Sequence, residues 1–141
     1  MKIFKFGGAS VKDADGVKNV YDVLQKVGHE DVLVVISAMG KTTNALETVI
    51  KNYFDKSNEF HASLQEVRKY HNQILLELFD DEEHDVFFAV NSHFADLEYF
   101  LRSNKSPNYN FVYDQVISFG EIVSTTIVSH YFNHQGLKNN W

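Results

Sequence analysis

The sequence predicts an α/β fold with a mainly parallel sheet and a long helical hairpin, and three observations support this prediction. Two short apolar runs, residues 3–6 and 32–36, flank a stretch of helical spacing, which gives the order strand, helix, strand. The second run, VLVVI, is continuous and rich in β-branched residues, as is typical of a central strand covered on both faces. The stretch from Asn58 to Ser103 contains neither glycine nor proline and repeats apolar residues at intervals of three and four.

The first two predicted helices have recognisable boundaries. Asp13 or Asp15 can cap the first helix, whose apolar face extends to Val27 and which Gly28 closes. The second helix follows the second strand, with its apolar residues between positions 45 and 54. Because two parallel strands joined by a helix run in the same direction, we expect their carboxyl ends to lie at one edge of the sheet.

The remainder of the chain is predicted to be helical. The acidic residues 80–83 divide the long helical stretch into an antiparallel pair and are expected to form a solvated junction. Residues 104–110 include the only proline of the chain and interrupt the helical pattern. The last helix is predicted to extend from Tyr113 to Gln135, with Gly136 as its stop signal.

Composition limits the possible functions. The 141 residues, 44% hydrophobic and 23% charged, suffice for one globular domain or for part of a larger one. A formal net charge of −6 argues against binding to nucleic acid or to an anionic membrane surface. The absence of cysteine excludes disulfides and cysteine-ligated zinc. The sequence has neither a signal-peptide pattern nor an uninterrupted apolar span, so a cytoplasmic protein is expected.

The first strand leads into a candidate phosphate site. Lys5 lies within the apolar run, where a cation has no packing role, and Gly7, Gly8 and Ser10 follow before the first helix. Paired glycines let a ligand approach the main chain, and a helix start offers free N–H groups to an anion. The alternative is a tight turn with a solvated lysine, and this segment alone does not decide between the two. It matches neither the dinucleotide fingerprint GxGxxG nor the P-loop motif.

The second strand ends in the segment SAMGKTTN, residues 37–44, which we expect beside the first glycine pair. Its GKTT part is not a P-loop, because Val35 stands where the first glycine of that motif is required. Thr43 or Asn44 can cap the next helix, a role that is compatible with ligand binding.

The segment SFGE, residues 118–121, lies within the last predicted helix. A glycine in a helix interior costs about 1 kcal/mol relative to alanine, so Gly120 indicates that another element approaches closely there. Glu121 follows it, and this segment alone favours a plain surface glutamate. His130 and His134 are one helical turn apart, but no carboxylate at the required spacing joins them, and no metal site is predicted.

Taken together, the three segments resemble the motifs of aspartate kinases, members of the amino-acid kinase superfamily. KFGGAS is similar to the KFGGTS signature that opens these enzymes, with Ala9 in place of the threonine. SAMGKTTN and SFGE follow in the order expected for the family, so the resemblance extends over essentially all 141 residues. It implies a partial three-layer αβα sandwich of the amino-acid kinase type.

The resemblance also implies roles for seven residues. The implied catalytic residues are Lys5, Gly7 and Gly8. The residues implied to bind phosphate are Lys5, Gly7, Gly8 and Ser10. The residues implied to bind the substrate are Ser37, Thr43 and Glu121, the last of them through the amino group of aspartate.

By this resemblance, the parent enzyme transfers the γ-phosphoryl group of ATP to the side-chain carboxylate of L-aspartate. The product is 4-phospho-L-aspartate, for lysine, threonine and methionine biosynthesis. Residues 1–141 are expected to be the N-terminal, amino-acid-binding portion of the catalytic domain, inactive alone. The nucleotide-binding half, which is expected to bind most of the ATP and Mg²⁺, and the regulatory ACT domains are absent from them.

Two alternatives stay open, and one expectation concerns assembly. The chain can instead be part of another amino-acid kinase, or a non-catalytic amino-acid-binding or assembly module. A homo-oligomer is expected, because a small sheet leaves an unpaired edge and uncovered apolar surface.

Overall fold

The computed structural model describes residues 1–57 and 59–141. Its two strands are β1 (Lys2–Phe6) and β2 (Val32–Ile36), and a short 3-10 turn covers Gly8–Val11. The helices are α1 (Ala14–Val27), α2 (Thr42–Phe54), α3 (Glu59–Leu78), α4 (Asp85–Ser103) and α5 (Tyr109–His134). The predicted α/β class is confirmed, whereas the predicted start of the long helical stretch, Asn58, lies outside the described residues. None of the helices in the described part of the chain combines the length and apolarity needed to cross a membrane.

Strands β1 and β2 form a parallel pair, with Lys2 opposite Val32 and Phe6 opposite Ile36. Both strands therefore end at the same edge of the sheet, as the order strand, helix, strand requires. This edge is where the two glycine-bearing segments begin, because one follows Phe6 and the other follows Ile36.

Helix α1 connects the two strands and has the predicted boundaries. Asp13 is the cap, since its Oδ1 accepts a hydrogen bond of 2.8 Å from the Gly16 N–H. Gly28 ends the helix with a φ of +88°, a conformation that glycine adopts without strain. The predicted apolar face is correct except at its end, because Val27 is exposed.

The two faces of the sheet differ in their cover. Phe4, Phe6 and Val34 point towards the helices and are partly buried against the core. On the other face Ile3 and Leu33 are 62% and 48% exposed, and the neighbouring residues of that face are exposed too. The prediction that β2 is covered on both faces is therefore wrong for this chain, which supplies helices to only one side. We call the exposed set, Ile3, Lys5, Leu33 and Val35, the open sheet face.

Helices α3 and α4 form the predicted antiparallel hairpin. His61 near the start of α3 pairs with Glu98 near the end of α4, at 3.1 Å. Further along α3, Arg68 donates hydrogen bonds of 2.8 and 3.1 Å to the Asn91 side-chain oxygen, earlier in α4. The acidic residues 80–83 are exposed in the junction, as predicted.

Helix α5 packs against α2, α4 and β2 and contributes much of the core. It begins at Tyr109, four residues before the predicted start, because the Asn108 side chain accepts a hydrogen bond of 3.2 Å from the Phe111 N–H. Gly136, with a φ of +85°, follows its last turn. The apolar side was predicted correctly, and its buried residues are Val116, Phe119, Val123, Thr126, Ile127 and Tyr131.

Candidate functional site

The first glycine turn presents an accessible main chain. Gly7 has extended dihedral angles (φ −77°, ψ 172°) and precedes the short 3-10 turn, which closes with a 2.9 Å hydrogen bond from the Ser10 N–H to the Gly7 carbonyl. A Cβ atom added to Gly7 would meet nothing within 4 Å. Gly7 and Ser10 are both exposed, so a ligand can reach the main chain at this turn.

The second loop, residues 37–41, lies directly against this turn. The Ser37 N–H donates to the Phe6 carbonyl at 3.0 Å, and the Gly40 N–H donates to the Gly8 carbonyl at 3.0 Å. A Cβ atom on Gly8 would lie 2.7 Å from the Ala38 carbonyl oxygen, closer than any real side chain tolerates. The two glycines of the first turn therefore differ: Gly7 is open to solvent, whereas Gly8 allows the two loops to touch.

Helix α2 begins at this second loop and directs its N-terminus towards the same edge. It starts at Thr42, whose hydroxyl donates to the Met39 carbonyl at 2.6 Å. The alternative in which Thr43 or Asn44 caps the helix is wrong, because Lys41 occupies the capping position and no side chain bonds there. Thr43 is exposed in the first turn, which contains no acidic residue. The helix dipole and the lysine thus favour an anion at this end of α2.

Helix α5 closes the site from a third side, through Gly120 and Ser124. A Cβ atom on Gly120 would lie 3.2 Å from the Ala38 Cβ and 3.3 Å from the Thr42 Cγ2, so the predicted close approach at Gly120 is confirmed. The Ser124 hydroxyl, fully buried, donates to the Ser37 carbonyl at 2.7 Å. Gly120 lies near the middle of α5.

The structure brings most of the predicted site residues to one edge of the molecule. The loops that carry Gly7, Gly8 and Ser37 touch each other, and Thr43 follows the second of them. Glu121 is exposed on α5, one residue after the glycine that packs on Ala38. Gly120, the residue before it, thus packs α5 against residues 37–41, the loop that contacts Gly8.

Lys5 is the predicted site residue with the weakest link to the others. It is exposed on the open sheet face, opposite Val35 in the strand register. The ion pairs found among residues 1–57 and 59–141 do not include it. Its ammonium group is therefore free to meet a ligand, although no protein contact directs it towards the glycine turn.

Sequence reasoning missed a polar cluster behind the two loops. His71 of α3 is fully buried, and its Nδ1 lies 2.7 Å from the Val67 carbonyl oxygen, so Nδ1 carries the proton. Its Nε2 lies 3.4 Å from the Thr42 hydroxyl. Burial lowers the pKa of His71 to about 4, so the ring is neutral at pH 7. The signal was present in the sequence, because His71 is the one polar residue in the apolar stripe of α3.

Tyr70, the preceding residue, contacts the first loop instead. Its hydroxyl donates a hydrogen bond to the Lys12 carbonyl. It also occupies the space beside Gly40, where an added Cβ atom would lie 2.5 Å from the tyrosine oxygen. Burial and the nearby charge of Asp13 raise the pKa of Tyr70, so the hydroxyl stays protonated and remains a donor at neutral pH.

The histidines near the end of α5 contact the hairpin junction. The His84 ring lies 5.3 Å from that of His134 and 6.0 Å from that of His130, measured between centroids. The His84 Nδ1 accepts a hydrogen bond of 3.1 Å from the Val86 N–H and so caps α4. Burial and the proximity of His84 lower the pKa of His130. Within the described residues, no group of three or more histidine or acidic side chains is arranged to hold a metal ion.

The candidate site thus lies at one edge of an α/β protein and consists of two glycine-bearing loops and the N-terminus of a helix, an arrangement whose main-chain N–H groups favour an anion. The sequence model of the amino acid kinase family matches residues 1–141. The chain therefore belongs to the amino acid kinase family, and the resemblance inferred from its motifs is confirmed.

Curated relatives of this chain are aspartokinases. It is 29% identical over 140 residues to bifunctional aspartokinase/homoserine dehydrogenase 2 of Escherichia coli (strain K12). This alignment covers 99% of this chain and 17% of the relative. It is 30% identical over 142 residues to aspartokinase 1, chloroplastic, of Arabidopsis thaliana. This alignment covers 96% of this chain and 24% of the relative. The chain thus spans about a quarter or less of the length of these relatives.

Solved aspartokinase structures share the fold. Aspartokinase III of E. coli in complex with lysine and aspartate (T-state) matches with a TM-score of 0.83 and 22% identity, over 98% of this chain and 30% of that one. The same enzyme in complex with aspartate and ADP (R-state) matches with a TM-score of 0.80 and 21% identity, over 96% and 29%. The predicted fold is therefore confirmed as part of an amino-acid kinase fold.

Proposed function

We propose that this chain is the N-terminal, amino-acid-binding portion of an aspartate kinase catalytic domain. The observation that carries the proposal is the meeting of three motif segments at one edge, where Gly8 touches the loop of Ala38 and Gly40 while Gly120 packs on the same loop. The names of the curated relatives support the reaction, and the solved complex with aspartate and ADP supports the two ligands.

The proposed reaction needs little acid–base chemistry from the protein. The aspartate side chain has a reference pKa of about 3.9, so at neutral pH it is already an anionic nucleophile. Its oxygen forms a bond to the γ-phosphorus of ATP while the bond from that phosphorus to the β,γ-bridging oxygen breaks, and ADP leaves with the electron pair. The task of the protein is to hold two negatively charged partners together and to compensate their repulsion.

The phosphate-binding role is assigned to Lys5, Gly7, Gly8 and Ser10. Gly7 offers an uncovered main chain, and the exposed lysine has no competing carboxylate partner among the described residues. Gly8 contributes by holding this turn against the second loop. The N-terminus of α2, with its lysine cap and no acidic residue in the first turn, adds favourable charge at the same edge.

The substrate-binding role is assigned to Ser37, Thr43 and Glu121. Thr43 is exposed at the anion-favouring start of α2, where an aspartate carboxylate can lie. Glu121 is the one of the three that can pair with an ammonium group. It would therefore distinguish an amino acid from a simple dicarboxylate.

Most of the nucleotide and its Mg²⁺ are assigned to parts of the parent enzyme beyond residues 1–141. The described residues do not fit a metal ion, since no three histidine or acidic side chains converge on one point. A cytoplasmic location stays a prediction.

Self-association is proposed to involve the open sheet face. Ile3 and Leu33 expose apolar surface there, which favours contact with another apolar surface. Light scattering across a range of chain concentrations tests this proposal. A constant monomer mass at the highest concentration would contradict it.

Calorimetric titration with L-aspartate and with succinate tests the substrate assignment. Succinate has both carboxylates but no ammonium group, so Glu121→Gln should weaken aspartate binding by about tenfold or more and leave succinate binding unchanged. Glu82→Gln, a change of the same charge in the exposed hairpin junction, is the matched control. Equal effects of Glu121→Gln on both ligands would contradict the role of Glu121.

A coupled assay for ADP release tests the proposal that most of the nucleotide is bound outside residues 1–141. We expect residues 1–141 to show no aspartate-dependent turnover of ATP. Turnover at the rate of an ordinary kinase, about 1–100 s⁻¹, would contradict the assignment of the nucleotide to the rest of the parent enzyme.

A further inference from the structure

Helix α3 contributes nothing to the proposed substrate contacts, yet two consecutive residues of it contact the two glycine-bearing loops. Tyr70 donates to the Lys12 carbonyl, just after the first glycine turn. His71 contacts Thr42, where the second loop enters α2. Between these two anchors lies the 3.0 Å hydrogen bond from the Gly40 N–H to the Gly8 carbonyl.

The His71 contact is built from buried groups with few alternatives. Its Nδ1–H is bonded to the Val67 carbonyl one turn earlier, which fixes the plane of the ring. The Nε2 lone pair then faces the Thr42 hydroxyl, and that hydroxyl has one proton for two acceptors, Nε2 and the Met39 carbonyl. Thr42 and His71 are 2% and 0% exposed, so water does not substitute for either partner.

We propose that Tyr70 and His71 are positioning residues that hold the two glycine-bearing loops at a fixed separation; the consequence for ligand binding rests on the proposed function. Both side chains project from one rigid helix, so a movement of either loop must break a contact with α3. Misplacement of a binding group by about 1 Å costs about a hundredfold in rate, so a shift of either loop matters. The helical hairpin thereby acquires a role as the support of the site.

Five substitutions test the proposal. Tyr70→Phe, His71→Leu and Thr42→Val each remove polar contacts while keeping a similar side-chain volume, and Thr42→Ser restores the hydroxyl. The matched control is Thr48→Val on the same helix as Thr42, because the Thr48 hydroxyl is exposed and bonds only within α2.

Hydrogen exchange of the unliganded chain is the first measurement, and it does not depend on the proposed function. We expect exchange of the Gly40 amide to rise by about fivefold to tenfold in the three disruptive variants, as the loss of one hydrogen bond predicts. The amide of Val90, buried in α4, reports global unfolding and should rise less. Equal increases at Gly40 and Val90, or no increase at Gly40, would overturn the proposal, since a merely structural role affects both sites alike.

Calorimetric affinity for L-aspartate is the second measurement, made at a temperature where every variant is folded. His71→Leu and Thr42→Val should weaken binding about tenfold, with Thr42→Ser and Thr48→Val close to the wild-type affinity. Wild-type affinity in all variants would overturn the inferred consequence for binding. If the wild-type chain does not bind aspartate, the proposed function fails, and the Gly40 exchange result alone decides the positioning role.

Discussion

Replacing Gly8 by alanine should loosen the contact between the two loops, whereas the same change at Gly7 should not. A Cβ atom on Gly8 would lie 2.7 Å from the Ala38 carbonyl oxygen and 2.9 Å from that of Gly40. Both are main-chain atoms, so the loops must move apart, at a cost of about 1–3 kcal/mol. A Cβ atom on Gly7 meets nothing within 4 Å, and its extended dihedral angles suit any residue. Alanine there should stabilise the chain by about 0.4–1 kcal/mol, because the unfolded chain loses freedom.

The two variants should therefore differ in free energy of unfolding by about 1.4–4 kcal/mol. At about 2–4 °C per kcal/mol, the corresponding difference in Tm is about 3–16 °C. Urea-induced unfolding followed by circular dichroism measures the free energy, and faster exchange of the Gly40 amide reports the local opening. Equal stability of Gly7→Ala and Gly8→Ala would refute the inference that Gly8 is needed for the contact between the loops.

Three further predictions concern the walls of the site. Ser124→Ala should lower the free energy of unfolding by about 1–3 kcal/mol, because the partly buried Ser37 carbonyl loses its donor, whereas Ser118→Ala on the exposed side of α5 should change it little in the same urea titration. Gly120→Leu should destabilise by about 1–3 kcal/mol through overpacking, and a urea midpoint equal to wild type would contradict this. Stability should fall as the pH decreases from about 6.5 to about 4, because the unfolded chain then binds a proton at His71 that the folded chain, with a pKa of about 4, does not. A pH series of unfolding curves should show this slope in wild type and a shallower one in His71→Leu.

Sequence patterns predicted the elements well wherever the partners that bury them are within the chain. The α1 boundaries followed from Asp13 and Gly28, because capping and a positive φ are local requirements. The cover of β2 was predicted wrongly because VLVVI has the composition of a strand buried on both faces. Residues 1–141 supply helices for only one of those faces, and Leu33 on the other is exposed.

The candidate site was predictable in its location and less so in its details. Parallel strands end at one edge, so the contact between the Gly8 turn and the Gly40 loop followed from topology alone. The interior glycine Gly120 indicated a close approach and led to α5. The contact between Thr42 and His71 could not be derived, because it depends on how the hairpin packs against α2, and no local pattern encodes that packing.

The edge that carries the site joins segments that are far apart in the chain. The Ser124 to Ser37 hydrogen bond spans 87 positions; at the C-terminal end of α5, away from the site, the bond from the Tyr21 hydroxyl to the Gln135 carbonyl spans 114. Closing loops of this length is entropically costly, so we expect α5 to dock late during folding. A ligand that binds only when α5 is docked would then stabilise the folded chain, adding about 2.7 kcal/mol to the free energy of unfolding at a ligand concentration of 100 times its Kd.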